Sequence, residues 1–238
     1  MGQKQSHRGQ HPEDARLFAE KKIAVLREAV NDASFLLTRG YADKAALTIV
    51  GDHYQLDLRQ RHAVQRAACS DKSRAYRKRH AAKIRDVRGR PVLIDGYNLL
   101  ITIESVLAGG ILIKCRDGCI RDMASVHGSY RRVEETYAAI RLIGETLAKR
   151  RIGPVGWRLD APVSNSGRLK GILSAEAARL GWPWEVELRR NPDKELEAAE
   201  ETVVTSDGWI LDRARRWFNL IKVIVAGLVN PPRIINLG

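Results

Sequence analysis

The sequence predicts an α/β protein: a parallel-sheet domain with helices on both faces, preceded by an all-α segment. Two observations carry this prediction. From Pro91 onward, short apolar runs of strand length alternate with stretches of helical periodicity, which is how βα units read. Before Pro91 only helical periodicity is found, and the junction over residues 70–90 holds nine Lys and Arg against two Asp. The expected domains are a basic helical accessory domain over 1–88 and the α/β domain over 89–238.

The first helix is expected over 12–37, where Leu17, Ile23, Leu26, Val30 and Leu37 share one stripe. Pro12, Glu13 and Asp14 suit its first turn, and Gly40 is the expected C′ residue. Helices over 43–50 and 58–68 follow, separated by a turn at 51–55, for about four short helices in all. The run over 70–90 reads as a solvated basic helix or a linker ending at Gly89 and Pro91. Its place just ahead of the first strand would bring cations to the crevice, where they suit a phosphate backbone.

Beyond Pro91, residues 92–95 read as a strand and 98–107 as a helix, followed by an irregular stretch over 108–128. A long helix over 130–150 has Val133, Tyr137, Ile140 and Leu147 on one face. The second strand, 155–159, ends at Asp160; a helix over 167–180 stops at Gly181; the third strand is 184–188. A short helix over 193–201, a fourth strand over 202–205, a helix over 210–218 and a fifth strand over 221–225 complete the order. Parallel neighbours joined by helices place those helices on both faces of the sheet.

Composition narrows the class. A hydrophobic fraction of 44% supports a real core, while the apolar run over 221–229 is far too short to span a bilayer. The polar start MGQKQSHRGQ has no secretory h-region; Met1-Gly2 with Ser6 fits a loose myristoylation pattern and is read as a frayed terminus. Cys69, Cys115 and Cys119 provide no disulfide framework, and His127 beside Cys115 and Cys119 is one ligand short of a zinc site. Reduced thiols and a cytoplasmic location are expected. The net charge of +13 favours a polyanionic partner. It is concentrated in residues 1–90, which carry 20 Lys and Arg against 10 Asp and Glu, whereas 91–238 carry 21 against 18. Adaptation to heat would instead predict balanced pairs.

Phosphodiester hydrolysis needs charge neutralised on the phosphate and an activated water, a task suited to divalent ions roughly 4 Å apart held by oxygen ligands. Asp95 ends the first strand and Asp160 the second; Asp193 opens a helix after Asn191-Pro192; Asp207 follows the fourth strand, and Asp212 lies five residues on. Any one of them could be a helix cap or turn former. The set points to chemistry because its members fall at C-terminal strand ends or the helix starts beside them, where α/β sheets bind ligands. Glu104 and Asp122 are weaker candidates.

The ordered set IDGYN (94–98), PDKEL (192–196) and VVTSD (203–207), followed by Asp212, resembles the PIN-like nuclease superfamily, nearest its NYN branch, over roughly residues 91–228. The whole chain also resembles an uncharacterised, largely archaeal family that couples a small helical domain to a PIN-like domain, through RGY (39–41), VGDHY (50–54), HGSYRRVEET (127–136) and PVSNSGRL (162–169). The resemblance implies a three-layer α/β/α domain that cleaves RNA with Mg²⁺ or Mn²⁺. By position, Asp95 would be the central metal ligand, and Asn98 would orient it or touch phosphate. Asp193 and Asp207 would complete the cluster, with Asp212 an outer or second-metal ligand. The chain departs from the pattern in the short helix after Asp193, in the stretch over 108–128, and in the lack of a clearly placed mid-domain Glu, for which Glu134, Glu135 or Asp122 could stand.

Ser164, Asn165 and Ser166 lead into a helix whose free N–H groups suit a phosphate, or else form a capped turn. Arg116, Arg121, Arg131 and Arg132 are candidate backbone contacts at the crevice mouth, or solvated arginines. Trp157, Trp182 and Trp184 read as packing residues. The leading expectation is therefore a cytoplasmic metal-dependent ribonuclease with RNA as partner, no membrane, and self-association left open. Its rivals are a catalytically inactive RNA-binding or RNP-assembly module on the same fold, and a nucleotide- or phosphate-handling enzyme using the same acids.

Overall fold

The computed structural model describes residues 7–124 and 130–238. The Met1-Gly2 and Ser6 pattern, His127 and the start of the HGSYRRVEET segment lie outside the described residues. The first expected helix is two, α1 (Asp14–Leu17) and α2 (Glu20–Thr38). The chain breaks at Phe18-Ala19, with Ala19 extended, so that Leu17 and Phe18 both reach the core. Gly40 closes α2 at φ +87°; its N–H and that of Tyr41 donate to the carbonyls of Leu37 and Leu36, each at 3.1 Å. Those two bonds make a Schellman close, and the positive φ explains the glycine. Helices α3 (Asp43–His53) and α4 (Leu58–Ala67) follow. The basic stretch is a pair of helices, α5 (Asp71–His80), capped by the Ser70 hydroxyl, and α6 (Ile84–Val87).

The α/β part is built on a parallel five-stranded sheet. Its strands are β1 (Val92–Asp95), β4 (Val155–Asp160), β5 (Trp184–Arg189), β6 (Thr202–Val204) and β7 (Trp217–Phe218), in the order β5-β4-β1-β6-β7. Helices α7 (Gly96–Leu107), α8 (Thr136–Arg150), α9 (Ser166–Leu180), α10 (Pro192–Ala198) and α11 (Gly208–Leu211) connect the strands. Strand alternation divides two cores. Ile94, Trp157 and Val204 meet α7, α8 and α9 on one face, and Leu93 and Val203 meet Leu196 and Ile210 on the other.

Two expectations need correction. The run expected as a fifth strand is helix α12 (Leu220–Ala226), and the fifth strand is β7, inside the helix expected over 210–218. A short apolar run fits either state. Here Asn219 Oδ1 accepts the Lys222 N–H at 3.0 Å and starts the helix, while Trp217 and Phe218 pair with Val203 and Val204. The stretch over 108–128 is also not wholly irregular. It holds β2 (Leu112–Lys114) and β3 (Ile120–Asp122), which join β8 (Ile234–Asn236) in a three-stranded sheet ordered β3-β2-β8. Strands of three residues are too short to display alternation. One face of this sheet, with Ile111, Ile113, Cys115, Ile235 and Leu237, packs into the same core as Leu26, Val30 and Val64 of the helical part. Among the described residues no helix is long and apolar enough to cross a membrane.

Candidate functional site

The chain adds β4 and β5 on one side of β1, then crosses to place β6 and β7 on the other. The carboxyl ends of β1 and β6 thus flank the point where the order reverses, the usual ligand crevice of an open parallel sheet. Asp95 stands there. The next residue must be glycine, because a Cβ on Gly96 would lie 2.9 Å from the Arg158 carbonyl oxygen and 2.5 Å from a Leu159 methyl.

A hydroxyl links the acids of the two strands. Thr205 Oγ1 donates to Asp95 Oδ2 at 2.7 Å and accepts the Asp207 N–H at 3.0 Å. Asn98 Oδ1 accepts both the backbone N–H of Ser206 at 2.8 Å and its hydroxyl at 2.9 Å. Asn98 therefore holds the β6 turn in register with α7. Asp207 caps α11 by accepting the N–H groups of Trp209 and Ile210 on Oδ1. Asp193 lies in the first turn of α10, and Asp160 ends β4.

The electrostatics mark these acids as one group. Burial raises the Asp95 pKa to about 7; the Thr205 hydrogen bond opposes this, and the charges of Asp207 and Asp193 add to it. Asp193 is raised by desolvation and then by Asp207 and Asp160, and Asp160 by desolvation. Among the described residues none of Asp95, Asp160, Asp193 and Asp207 is ion-paired, although the chain carries 41 Lys and Arg. Arg158, opposite Asp95 in the strand register, turns to Glu187 at 3.0 Å and Glu195 at 2.5 Å, which braces α10 against β4. As donors, unpaired carboxylates fit a hard divalent cation. Their side chains do not form a finished cage: among the described residues no three His, Cys, Asp or Glu are grouped as a metal site requires.

Asp212 does not belong to that group. Its two oxygens accept Arg77 Nε at 2.7 Å and Arg77 Nη2 at 2.8 Å, a bidentate pair that leaves it no role as a free ligand. Arg77 also binds Asp117 at 2.6 Å, and Asp117 binds Arg121 at 2.6 Å. Burial would raise the Asp117 carboxyl, but the two guanidiniums bring it down to about 2. This network grips the turn that carries Asp207: Arg121 Nε donates to the Ser206 carbonyl at 2.7 Å and Arg77 Nη2 to the Gly208 carbonyl at 3.1 Å. Arg121 is thus a buried clamp rather than an open phosphate contact.

The remaining candidates scatter. Glu104 is fully buried and receives Arg8 Nε at 2.5 Å, the Tyr130 hydroxyl at 2.5 Å and the Thr136 hydroxyl at 2.6 Å. Asp122 is buried against the Thr102 hydroxyl at 2.6 Å. Glu135 meets His7 at 2.7 Å, and Glu134 is 3.5 Å from the same ring. None of these four joins the unpaired acids. Arg116 pairs with Asp71 at 2.6 Å; Arg131 is exposed, and Arg132 lies over the Tyr137 ring. Asn165, at φ +69°, donates to the Tyr130 carbonyl at 3.0 Å, Ser164 accepts the Tyr130 N–H, and Ser166 bonds to the Ala161 carbonyl. The 164–166 turn therefore braces the chain ahead of α8. Burial raises the Cys115 thiol to about 11.

Sequence reasoning passed over Thr205, Ser206, Arg77, Asp117 and Tyr97. The first two stand in VVTSD, where only the carboxylate was weighed, and Asp117 precedes a glycine, as a turn former would. Tyr97 lies two residues past Asp95; its hydroxyl is buried without a hydrogen-bond partner among the described residues, and its pKa is raised to about 12 by burial and by Asp160.

Comparison with known proteins finds two family matches along the chain. Residues 25–80 match a family described as "Protein of unknown function (DUF434)", and residues 84–223 match "Domain of unknown function (DUF5616)". "Uncharacterized protein MJ0935" of the archaeon Methanocaldococcus jannaschii is 35% identical over 186 residues, spanning 78% of this chain and 88% of its own length. No solved structure matches the chain. With the matched 84–223 region containing every acid at the crevice, this chain belongs to the DUF5616 family.

Proposed function

We propose that this protein is a metal-dependent ribonuclease of PIN-like fold. One observation carries the reading: among the described residues Asp95, Asp160, Asp193 and Asp207 have no cationic partner, and they stand at the strand ends and helix starts around the switch point of a parallel sheet in a chain of net charge +13. A carboxylate buried beside other acids, as Asp95 is, is costly to ionise unless a cation joins it. Asp95, Asp193 and Asp207 would hold Mg²⁺ or Mn²⁺, with Asp160 beside them. When bound, such an ion neutralises phosphate charge and lowers the pKa of its water. The chain's own part is to fix the acids. Thr205 locks Asp95 and Asp207 to one hydroxyl, Asn98 holds the turn between them, and Arg158 steadies the helix that bears Asp193 through Glu195. The basic first part of the chain supplies charge for an RNA backbone.

Purified protein with Mn²⁺ is expected to cleave RNA, and Asp95→Asn with Asp207→Asn to abolish cleavage. Calorimetric titration of Mn²⁺ into both proteins gives a second readout, with binding expected only in the wild type. Equal residual cleavage in wild type and double variant removes the nuclease reading. The unfinished donor set favours one rival, a non-catalytic RNA-binding module on the same fold. Salt-sensitive RNA binding with no cleavage under Mg²⁺ or Mn²⁺ would select it.

A further inference from the structure

Asp207 does not face open solvent on every side. Between the helical part and the Asp207 turn lies a cleft of about 740 Å³. One wall is the edge of the site, with Asn98, Ser206, Asp207 and Trp209; the other comes from α2, α3, α4 and the turn after α2, with Tyr41, His62, Gln65 and Arg66. Its volume falls in the range of about 300–1,000 Å³ usual for sites that hold a nucleotide-sized ligand.

Each wall offers an aromatic ring that the core does not use. Trp209 is 41% exposed and Tyr41 51% exposed, although rings of this size generally gain by burial. The backbone N–H of Trp209 donates to Asp207 Oδ1 at 2.8 Å, so the residue that carries the indole sits directly on the turn of a site acid. The Arg213 guanidinium stacks 4.3 Å from the indole centroid and is itself tied by Nη1 to the Trp209 carbonyl at 2.9 Å. The Tyr41 backbone is held by the close of α2. Exposed rings in a basic chain are what unpaired bases stack on, and a duplex keeps its base faces hidden from them.

We infer that this cleft seats the bases of single-stranded RNA, with Trp209 as the stacking platform and Tyr41 as the aromatic of the helical wall. The inference rests on the nuclease reading for its choice of RNA and makes the helical part half of the substrate site. Arg66 supplies charge along the strand, and His62 and Gln65 offer hydrogen-bonding groups to a base edge. A strand seated here passes Asn98 and Asp207.

The test measures binding apart from cleavage, by fluorescence anisotropy of a labelled single-stranded RNA oligonucleotide on full-length Asp95→Asn protein in EDTA. Adding Trp209→Ala or Tyr41→Ala should weaken binding by roughly 5- to 150-fold, the loss of one stacked base. Trp209→Phe should retain most of the affinity, and duplex RNA of the same sequence should bind more weakly than the single strand. Circular dichroism confirms that each variant is folded. Unchanged affinity in Trp209→Ala, equal affinity for duplex, or no RNA binding by the parent overturns the inference. The two readings fail separately. Binding as expected by a wild type that never cuts RNA removes the nuclease and leaves the cleft, whereas cleavage indifferent to Trp209 and Tyr41 does the reverse.

Discussion

The Thr205 hydroxyl touches Asp95 and the Asp207 backbone at once, so neither acid can shift without the other. That coupling places Asp95 in a desolvated spot between like charges, and its pH behaviour follows. The folded state keeps the Asp95 proton up to about 7, whereas an unfolded aspartate loses it near about 4. Across that interval the folded state binds more protons, so this residue's contribution to stability falls as pH rises and is fully lost above about 7. Asp95→Asn removes the dependence. Without divalent cation, the melting temperature of the variant relative to wild type should climb between about pH 5 and pH 8, and a flat difference would contradict the assignment. Asp117 has the opposite sign. Its pKa is lowered to about 2, so its contribution is present at neutral pH and is lost as pH falls toward that value. Asp117→Asn leaves Arg121 with a buried, uncompensated charge while Arg77 keeps Asp212, and urea unfolding should show a loss of about 3–5 kcal/mol. The acids were legible in the sequence because a carboxylate at a strand end is a local pattern. The clamp was not, because Arg77 and Arg121 reach the Asp207 turn from segments 131 and 85 residues away.

At the scale of elements, the β1–α7 junction decides where Asp95 points. Gly96→Ala would drive a Cβ into the Arg158 carbonyl and Leu159, and the backbone must move because a carbonyl cannot rotate aside. A stability loss of about 1–3 kcal/mol is expected in thermal melts, with the Asp95 end of β1 displaced. The strands and helices around β1, β4, β5 and β6 were readable from alternation and from stops such as Gly181. Residues 210–226 were not. Apart from Asn219 and Lys222, residues 217–226 are apolar, and such a run buries equally well as strand or helix. The cap by Asn219 and the pairing of Trp217 and Phe218 along β6 settle the choice, and both are visible only once the neighbours are in place.

At the scale of the molecule, the boundary that composition draws near residue 89 is not a boundary of packing. The face of the β2–β8 sheet bearing Ile113 and Ile235 is buried against α2 and α4, so the helical part completes a core that residues 89–238 leave open. Scanning calorimetry of the full chain should therefore show one cooperative transition. The fragment 89–238 should bind a hydrophobic dye and aggregate; two separable transitions would contradict the shared core. The charge works at the same scale. If the basic part lies along an RNA backbone, the logarithm of the association constant should fall linearly with the logarithm of salt concentration, and Arg66→Gln should reduce that slope.

By itself the sequence determined the α/β class, the order of its main βα units, the basic first part and the strand-end acids Asp95, Asp160, Asp193 and Asp207. All of these are written in periodicity and local composition, which a chain carries whether folded or not. Only the tertiary structure decided which acids have no cationic partner among the described residues, that Asp212 and Arg121 serve as clamps, that residues 112–114, 120–122 and 234–236 form a second sheet, and that the helical part walls the crevice. Each of those depends on groups distant along the chain being brought within a few ångströms. A carboxylate's chemistry is set by the charges and burial around it, and those exist only in the fold.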